Sequence, residues 1–223
     1  MRLALIITLT SITALVSVPD AASAEAPSPQ TIAELIETFY KDRGDVRAEF
    51  EQKVSKPGRK RAMIKVGSVF FKRPGKMRWE YKKPEALFYV SDGSVLWSYQ
   101  PEDKLVTRLD VTSSELYHQT RYLFGQGNLS SDFDLSAAGD AKDGVFPLAL
   151  KPKKSSRNFK SLTLGVDAKT GEIRWTKLVD PYDNVSEISF TKVQYAAVDD
   201  KFFKFTPPAG ATVKNLSKKA GGK

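Results

Sequence analysis

Apolar residues near the start of the chain recur at helical spacing, which predicts a short helix with one strongly apolar face. Ser28 before Pro29 is typical of a helix N-terminus, and Gly44 is typical of a helix end. Such a helix needs an apolar surface to cover. The residues of its apolar stripe are Ile32, Leu35, Ile36, Phe39 and Tyr40.

From residue 46 onwards the pattern changes to alternation of apolar and polar residues, as in half-buried β-strands. Phe50 and Val54 alternate with charged residues in one segment, and Met77, Trp79 and Tyr81 do so in another. Short segments of this kind, joined by turns, predict an antiparallel barrel or a strongly curved sheet. The predicted strands are 46–54, 76–82, 87–90, 95–99, 105–109, 133–137, 146–150, 162–166, 173–179, 188–195 and 202–205, with a short addition at 212–213.

A second helical stripe interrupts the strands. Thr112 and Glu115 have the spacing of a capping box, and Gly125 and Gly127 end the segment. Two helices laid across an incomplete barrel would act as a lid, but ordinary packing of helices on a sheet explains the pattern equally well. The residues that share the apolar face are Leu116, Tyr117, Thr120, Leu123 and Phe124.

The N-terminus has the features of a secretory signal peptide at residues 1–24. Arg2 precedes an apolar run at 3–18, and the small residues Ala22-Ser23-Ala24 follow it. A retained membrane anchor is the alternative, but the run is short for a span. No cysteine follows it, which excludes lipidation as a bacterial lipoprotein. We therefore expect an exported single domain at 25–213 and a basic, flexible tail at 214–223.

Little in the sequence points to catalysis. The chain has no cysteine, one histidine (His118) and no G-x-S-x-G pattern, so a cysteine nucleophile and a histidine-rich metal site are excluded. We expect no enzyme, no metal and no cofactor. Paired carboxylates keep a cell-wall hydrolase as a remote alternative.

The net charge of +9 suits an anionic membrane surface or an acidic partner, although solubility alone explains it as well. The most basic run is Arg59, Lys60 and Arg61, and further basic residues surround aromatic ones near Lys72 and Arg78. Such interleaving can bind single-stranded nucleic acid. We expect no nucleic-acid partner because the signal peptide directs the chain out of the cytoplasm.

One segment of the sequence indicates a protein family more specifically than the composition does. Residues 69–81, with the sequence VFFKRPGKMRWEY, resemble the central signature of the LolA family of periplasmic lipoprotein carriers. Similar motifs occur in the family's order at 50–52, at 84–99 and at 203–210. The likeness spans almost the whole chain after the signal peptide, and residues 130–178 are the least distinctive part.

This resemblance implies a mainly β fold, an incomplete (open) antiparallel β-barrel with an α-helical lid, similar to LolA and LolB. An apolar cavity would hold the acyl chains of lipoproteins carried through the periplasm to the outer membrane. The implied partners of the monomer are acylated lipoproteins as cargo, a lipoprotein-releasing ABC transporter in the inner membrane and a LolB-like outer-membrane acceptor. A lipid-binding sensor or regulatory module on the same scaffold is the alternative.

The resemblance also implies roles for particular residues. Arg73 matches the arginine of the family's Arg-Pro motif, which would hold the lid shut through hydrogen bonds to helix backbone carbonyls. Met77 stands where the family commonly has Phe. An ordinary core position explains each cavity candidate equally well. The cavity candidates are Phe50, Val54, Phe70, Met77, Trp79 and Tyr81. The lid-helix faces would be formed by Ile32, Leu35, Ile36, Phe39, Leu116, Leu123 and Phe124.

Overall fold

The structure is a computed structural model that describes residues 27–41, 43–124, 127–154 and 159–216. The signal peptide predicted at 1–24 lies outside these residues. No helix in the described part of the chain is both long enough and apolar enough to cross a membrane.

The described residues form three α-helices, twelve strands and three single turns of 3-10 helix. The helices are α1 (Pro29–Lys41), α2 (Glu115–Thr120) and α3 (Leu129–Asp132). The 3-10 turns are Val111–Ser113, Arg121–Phe124 and Asp200–Phe203. The strands are β1 (Val46–Ser55), β2 (Met63–Lys72), β3 (Lys76–Lys83), β4 (Leu87–Ser91), β5 (Val95–Gln100), β6 (Leu105–Asp110), β7 (Phe133–Ala137), β8 (Val145–Pro152), β9 (Ser161–Asp167), β10 (Ile173–Val179), β11 (Val185–Tyr195) and β12 (Thr212–Asn215).

All twelve strands belong to one sheet in the order β12-β6-β5-β4-β3-β2-β1-β11-β10-β9-β8-β7. The sheet is open because β12 and β7 stand at its two edges. The predicted mainly β, open architecture with few helices is therefore confirmed. Neighbouring strands are antiparallel except for β12, which runs parallel to β6 and continues two residues past the predicted end of the domain at Val213.

The two faces of the sheet have different covers. The inner face, on which Phe50, Trp79 and Leu162 lie, forms the main core together with Ile32 and Ile36 of α1. The outer face is covered in part by the C-terminal segment, whose Phe202 ring lies 5.2 Å from that of Phe70. Alternation along each strand separates the two sets of side chains.

Strand β2 is absent from the strands predicted by alternation because both of its faces are covered. Val69 and Phe71 belong to the inner core, whereas Phe70 between them is buried on the outer face. Gly67 lets β2 pass close beneath an aromatic ring, since a Cβ there would lie 2.9 Å from Cε1 of Phe50. A strand buried on both faces loses the period-two pattern.

Two further local predictions are wrong. The predicted capping box at Thr112 fails because Thr112 lies inside a 3-10 turn and Ser114, in an extended conformation, is the N-cap of α2. The predicted strand at 202–205 is replaced by the 3-10 turn Asp200–Phe203, which the side chain of Asp199 caps by accepting from the backbone N–H of Lys201 at 2.9 Å. Its alternating aromatic residues cover the outer face instead of pairing as a strand.

Candidate functional site

Helix α1 lies against the inner face with the residues that its periodicity indicates. Ile32 and Ile36 are buried, and Leu35 and Phe39 are packed against the same core. Ser28 caps the helix by accepting from the backbone N–H of Thr31 at 3.1 Å. The apolar side of this helix therefore faces the sheet.

Residues 111–124 and 127–132 form a second cover beside α1. Its Tyr122 and Leu129 are buried in the inner core. The side chain of Glu37 on α1 accepts from the backbone N–H of Leu129 at 3.2 Å, which joins the two covers. The side chains of the remaining predicted lid residues, Leu116, Leu123 and Phe124, lie outside the described part of the structure.

The inner face carries, in the same core as these covers, a group of aromatic side chains that we call the aromatic floor: Phe50, Phe71, Trp79 and Tyr81. The ring of Phe50 lies 4.7 Å from that of Trp79 and 4.9 Å from that of Tyr81, centroid to centroid. Met77 is buried in the same core. The ring of Phe71 lies 5.7 Å from that of Trp79, so these contacts join residues of β1, β2 and β3 into one apolar surface.

Phe70 does not belong to this surface, so its prediction as a cavity residue is wrong. It is buried on the outer face, between Phe202 and the guanidinium of Arg47, which lies 5.6 Å from its ring centroid. In a strand, neighbouring residues point to opposite faces, so Phe70 cannot share a face with Phe71. Its apolar character alone did not distinguish the two faces.

A cavity of about 480 Å³, here called the mouth, opens at the end of the inner face where β1 ends and β2 begins. Val54 and Tyr81 line it, as does Gln52, whose side chain accepts from the Tyr81 hydroxyl and donates to that of Ser186, both at 2.9 Å. These partners are far apart in the chain, so sequence periodicity gave no signal for them. The mouth combines apolar walls with a small polar network.

The opposite end of the inner face, here called the closed end, is where the C-terminus of α1 meets the β2–β3 and β9–β10 turns. Exposed Arg73 in the β2–β3 turn donates to the backbone carbonyls of Lys41, at 2.6 Å, and of Arg43. Lys41 is the last residue of α1, where helix carbonyls lack intrahelical partners. A second cavity of about 460 Å³ lies between Arg73, α1, Tyr122 and residues 127–129.

The β9–β10 turn holds α1 from a second direction. The hydroxyl of Tyr40 accepts from the backbone N–H of Ile173 at 3.0 Å, and burial raises the pKa of Tyr40 above its usual range. Gly171 packs directly on the helix, because a Cβ there would lie 2.3 Å from the carbonyl oxygen of Leu35. Tyr40 was predicted only as part of the apolar stripe, and its hydroxyl contact was missed because Ile173 is remote in sequence.

His118 has a local role in the second cover. Its Nε2 lies 2.8 Å from the backbone carbonyl of Thr112, and its ring packs 5.6 Å from that of Phe159. Burial lowers the pKa of His118, which favours the neutral imidazole. Within the described ranges, no group of three His, Asp or Glu side chains is placed to hold a metal ion.

The fold and this site define a class of proteins: one open sheet with an apolar inner face under a helical cover. The family model described as outer membrane lipoprotein carrier protein LolA matches residues 44–206. The chain belongs to this family, which confirms the resemblance drawn from residues 69–81.

Relatives agree with this assignment. An outer-membrane lipoprotein carrier protein of Dechloromonas aromatica (strain RCB) is 32% identical over 78% of this chain and 83% of that protein. A protein of the same description from Bordetella pertussis (strain Tohama I) is 31% identical over 86% of this chain and 91% of that protein. Among solved structures, an uncharacterised conserved protein of Thermus thermophilus has the same fold, with a TM-score of 0.54 at 14% identity over 83% of this chain and 98% of that one.

Proposed function

We propose that this protein is a periplasmic chaperone that carries lipoproteins from the inner to the outer membrane. Acyl chains of the cargo occupy the inner face, between the aromatic floor and α1. Membership of the LolA family supports this function, as do relatives named outer-membrane lipoprotein carrier proteins. The observation that carries it is the aromatic floor itself, which belongs to one inner-face core with Ile32 and Ile36 of α1, a helix held in part by the exposed Arg73.

Energetics favour such a site. Burial of one acyl methylene contributes about 0.8 kcal/mol, so a C16 chain supplies on the order of 10 kcal/mol before the costs of opening and ordering. The two hydrogen bonds of Arg73 contribute about 0.5–3 kcal/mol each. Displacing α1 also exposes its buried side chains Ile32 and Ile36, so the acyl chain has to take their place on the inner face, and the energy needed to displace the helix lowers the net affinity for cargo.

In this mechanism Arg73 is the latch and α1 is the moving part of the lid. The guanidinium holds the last turn of α1 over the inner face when no cargo is bound. Cargo moves the helix and breaks these contacts, and their return favours release. The acyl chain meets a wall formed by the cavity residues Phe50, Val54, Met77, Trp79 and Tyr81. At the same time the apolar face of α1 moves away from this wall, with its residues Ile32, Leu35, Ile36 and Phe39.

The proposal includes the route of the cargo. The chain is exported by its signal peptide, receives lipoprotein from an inner-membrane ABC transporter and passes it, as a monomer, to a LolB-like acceptor. It needs no cofactor and performs no catalysis. Burial opposes ionisation of the Asp180 carboxylate beside the mouth, but hydrogen bonds from Asn184 and Tyr182 outweigh burial and lower the pKa of Asp180, so this one carboxylate is a poor general acid.

Native mass spectrometry of the purified protein mixed with a triacylated lipoprotein tests this function. We expect a one-to-one complex that does not form with the same lipoprotein lacking its acyl chains. A protein that stays empty when offered the acylated form would contradict the carrier function.

A further inference from the structure

The turn between β1 and β2 is the most basic exposed feature near the mouth. We call Ser55–Met63 the mouth hairpin. Its side chains Lys56, Arg59, Lys60 and Arg61 are exposed, and none of them forms an ion pair with a described carboxylate. Some cations elsewhere are paired, as Lys72 and Lys76 are with Asp200. The mouth hairpin therefore presents uncompensated positive charge.

The mouth hairpin is continuous with the candidate lipid site. Lys56 and Lys65 stand in the wall of the mouth, and Val54 lines both the mouth and an adjoining cleft of about 420 Å³. That cleft is lined by Arg59, Arg61 and Met63 as well. Positive charge thus lies along the β1–β2 side of the entrance through which an apolar chain would pass.

Exposed apolar side chains accompany the charge. Met63 is 49% exposed and Ile64 is 45% exposed, directly after the basic run. Across the β1–β11 pairing, the β10–β11 turn carries Tyr182, which is 80% exposed. Basic residues together with exposed apolar and aromatic ones are the composition of surfaces that enter the headgroup region of an anionic bilayer.

We propose that the mouth hairpin docks this protein on membranes rich in anionic phospholipid, with the mouth turned towards the bilayer. The lipid phosphates pair with Lys56, Arg59, Lys60 and Arg61, while Met63 and Ile64 enter the headgroup layer. The neighbouring β3–β4 and β5–β6 turns carry exposed Glu85, Glu102 and Asp103 and a single exposed cation, Lys104. Their net negative charge is repelled by the same surface, so the hairpin side of the mouth approaches first. The exposed apolar residues favour a bilayer over an acidic protein as the occupant.

Flotation with lipid vesicles tests this docking without cargo, so its outcome is separate from that of the lipoprotein-binding experiment. The wild-type chain should float with phosphatidylcholine vesicles that contain phosphatidylglycerol, weakly at high salt, and not with pure phosphatidylcholine. Each basic residue near an anionic surface strengthens binding about fivefold. The variant R59Q/K60Q/R61Q should therefore bind on the order of 100-fold more weakly.

A matched control removes the same charge elsewhere. Lys142, Lys169 and Lys204 are exposed in the β7–β8 turn, the β9–β10 turn and the C-terminal segment. The variant K142Q/K169Q/K204Q should retain most of the binding, and M63S/I64T should lose the part that persists at high salt. Circular dichroism confirms that each variant is folded.

Three results would overturn the proposal. The first is a wild-type chain that does not bind phosphatidylglycerol vesicles at low salt. The second is an equal loss of binding in both triple variants, which would assign the binding to net charge alone. The third is a hairpin variant that binds vesicles normally but loses delivery to a protein acceptor, which would show that the mouth hairpin docks on an acidic protein.

Discussion

The two ends of the inner face, the closed end and the mouth, are stabilised by different kinds of contact. At the closed end, α1 is fixed by backbone carbonyls, a buried hydroxyl and a glycine in contact with the helix. At the mouth, side chains bond to side chains around an open cavity. On the proposed function, we expect this difference to place control of the lid at the closed end and entry of cargo at the mouth.

The largest effect is expected at Gly171, where the closed end is most crowded. Gly171→Ala places a Cβ 2.3 Å from the carbonyl oxygen of Leu35 and should cost about 2–4 kcal/mol of unfolding free energy, from overpacking and positive φ together. Gly144→Ala is the matched control, because its φ of +77° is close to the +84° of Gly171 but nothing lies within 4 Å. Chemical denaturation measures both, and equal losses would show that α1 does not rest on this turn.

A pair of tyrosine variants compares the two ends directly. Tyr40→Phe leaves the buried N–H of Ile173 without its acceptor and should cost about 1–3 kcal/mol. Tyr81→Phe removes the bond to Gln52 beside the mouth, where water can replace it, and should cost about 0.5–1 kcal/mol. Urea denaturation of both variants tests the ranking, and a larger loss for Tyr81→Phe would reverse the comparison.

At Arg73 we expect a smaller loss of unfolding free energy than at Tyr40, together with a larger effect on cargo release. Because its bonds to α1 are exposed, Arg73→Leu should lower unfolding free energy by about 1 kcal/mol. The same loss of closed-state stability raises net cargo affinity, so the variant should load lipoprotein but release it several-fold more slowly to an acceptor. Arg73→Lys keeps the charge without the planar fork and should be intermediate. Transfer rates equal to the wild type in a release assay would show that Arg73 is not a latch.

The smallest effect is a pH dependence in the second cover. Burial lowers the pKa of folded His118, so the folded state binds fewer protons than the unfolded state below the unfolded pKa of about 6.5. The contribution of neutral His118 to the free energy of unfolding should be fully present above that pH and should decrease as the pH falls towards the folded pKa. Thermal melts across this range should show the decrease in the wild type and a weaker one in His118→Gln; identical profiles would contradict it.

Much of the fold follows from short-range pattern. The strands 133–137 and 173–179 have the bounds that alternation predicts, and the stripe from Ile32 to Tyr40 faces the sheet as expected. The pattern fails where the C-terminal segment covers the outer face of the sheet. There β2 is buried on both faces, and the aromatic residues of 202–205 pack on the outer face instead of forming a strand. The parallel pairing of β12 also depends on long-range contact.

The candidate site was less accessible from sequence than the fold. Alternation placed Phe50 and Trp79 on one face, but it did not separate Phe70 from that set because no periodicity marks which face is inner. The role of Arg73 came from family resemblance, and its acceptors on α1 became visible only in three dimensions. The contacts of Tyr40 and Gly171 with their partners needed the folded chain, since each joins α1 to a turn far along the sequence.

The central claim is that acyl chains of cargo bind on the aromatic floor beneath α1, and fluorescence tests it most directly. Trp79 lies on that floor, whereas Trp97 and Trp175 alternate with inner-face residues and lie on the outer face. In the variant W97F/W175F, Trp79 is the only tryptophan. A lipoprotein with brominated acyl chains should quench its emission, and an unbrominated one should not. Full emission from Trp79 in a complex that native mass spectrometry shows to be loaded would contradict the account.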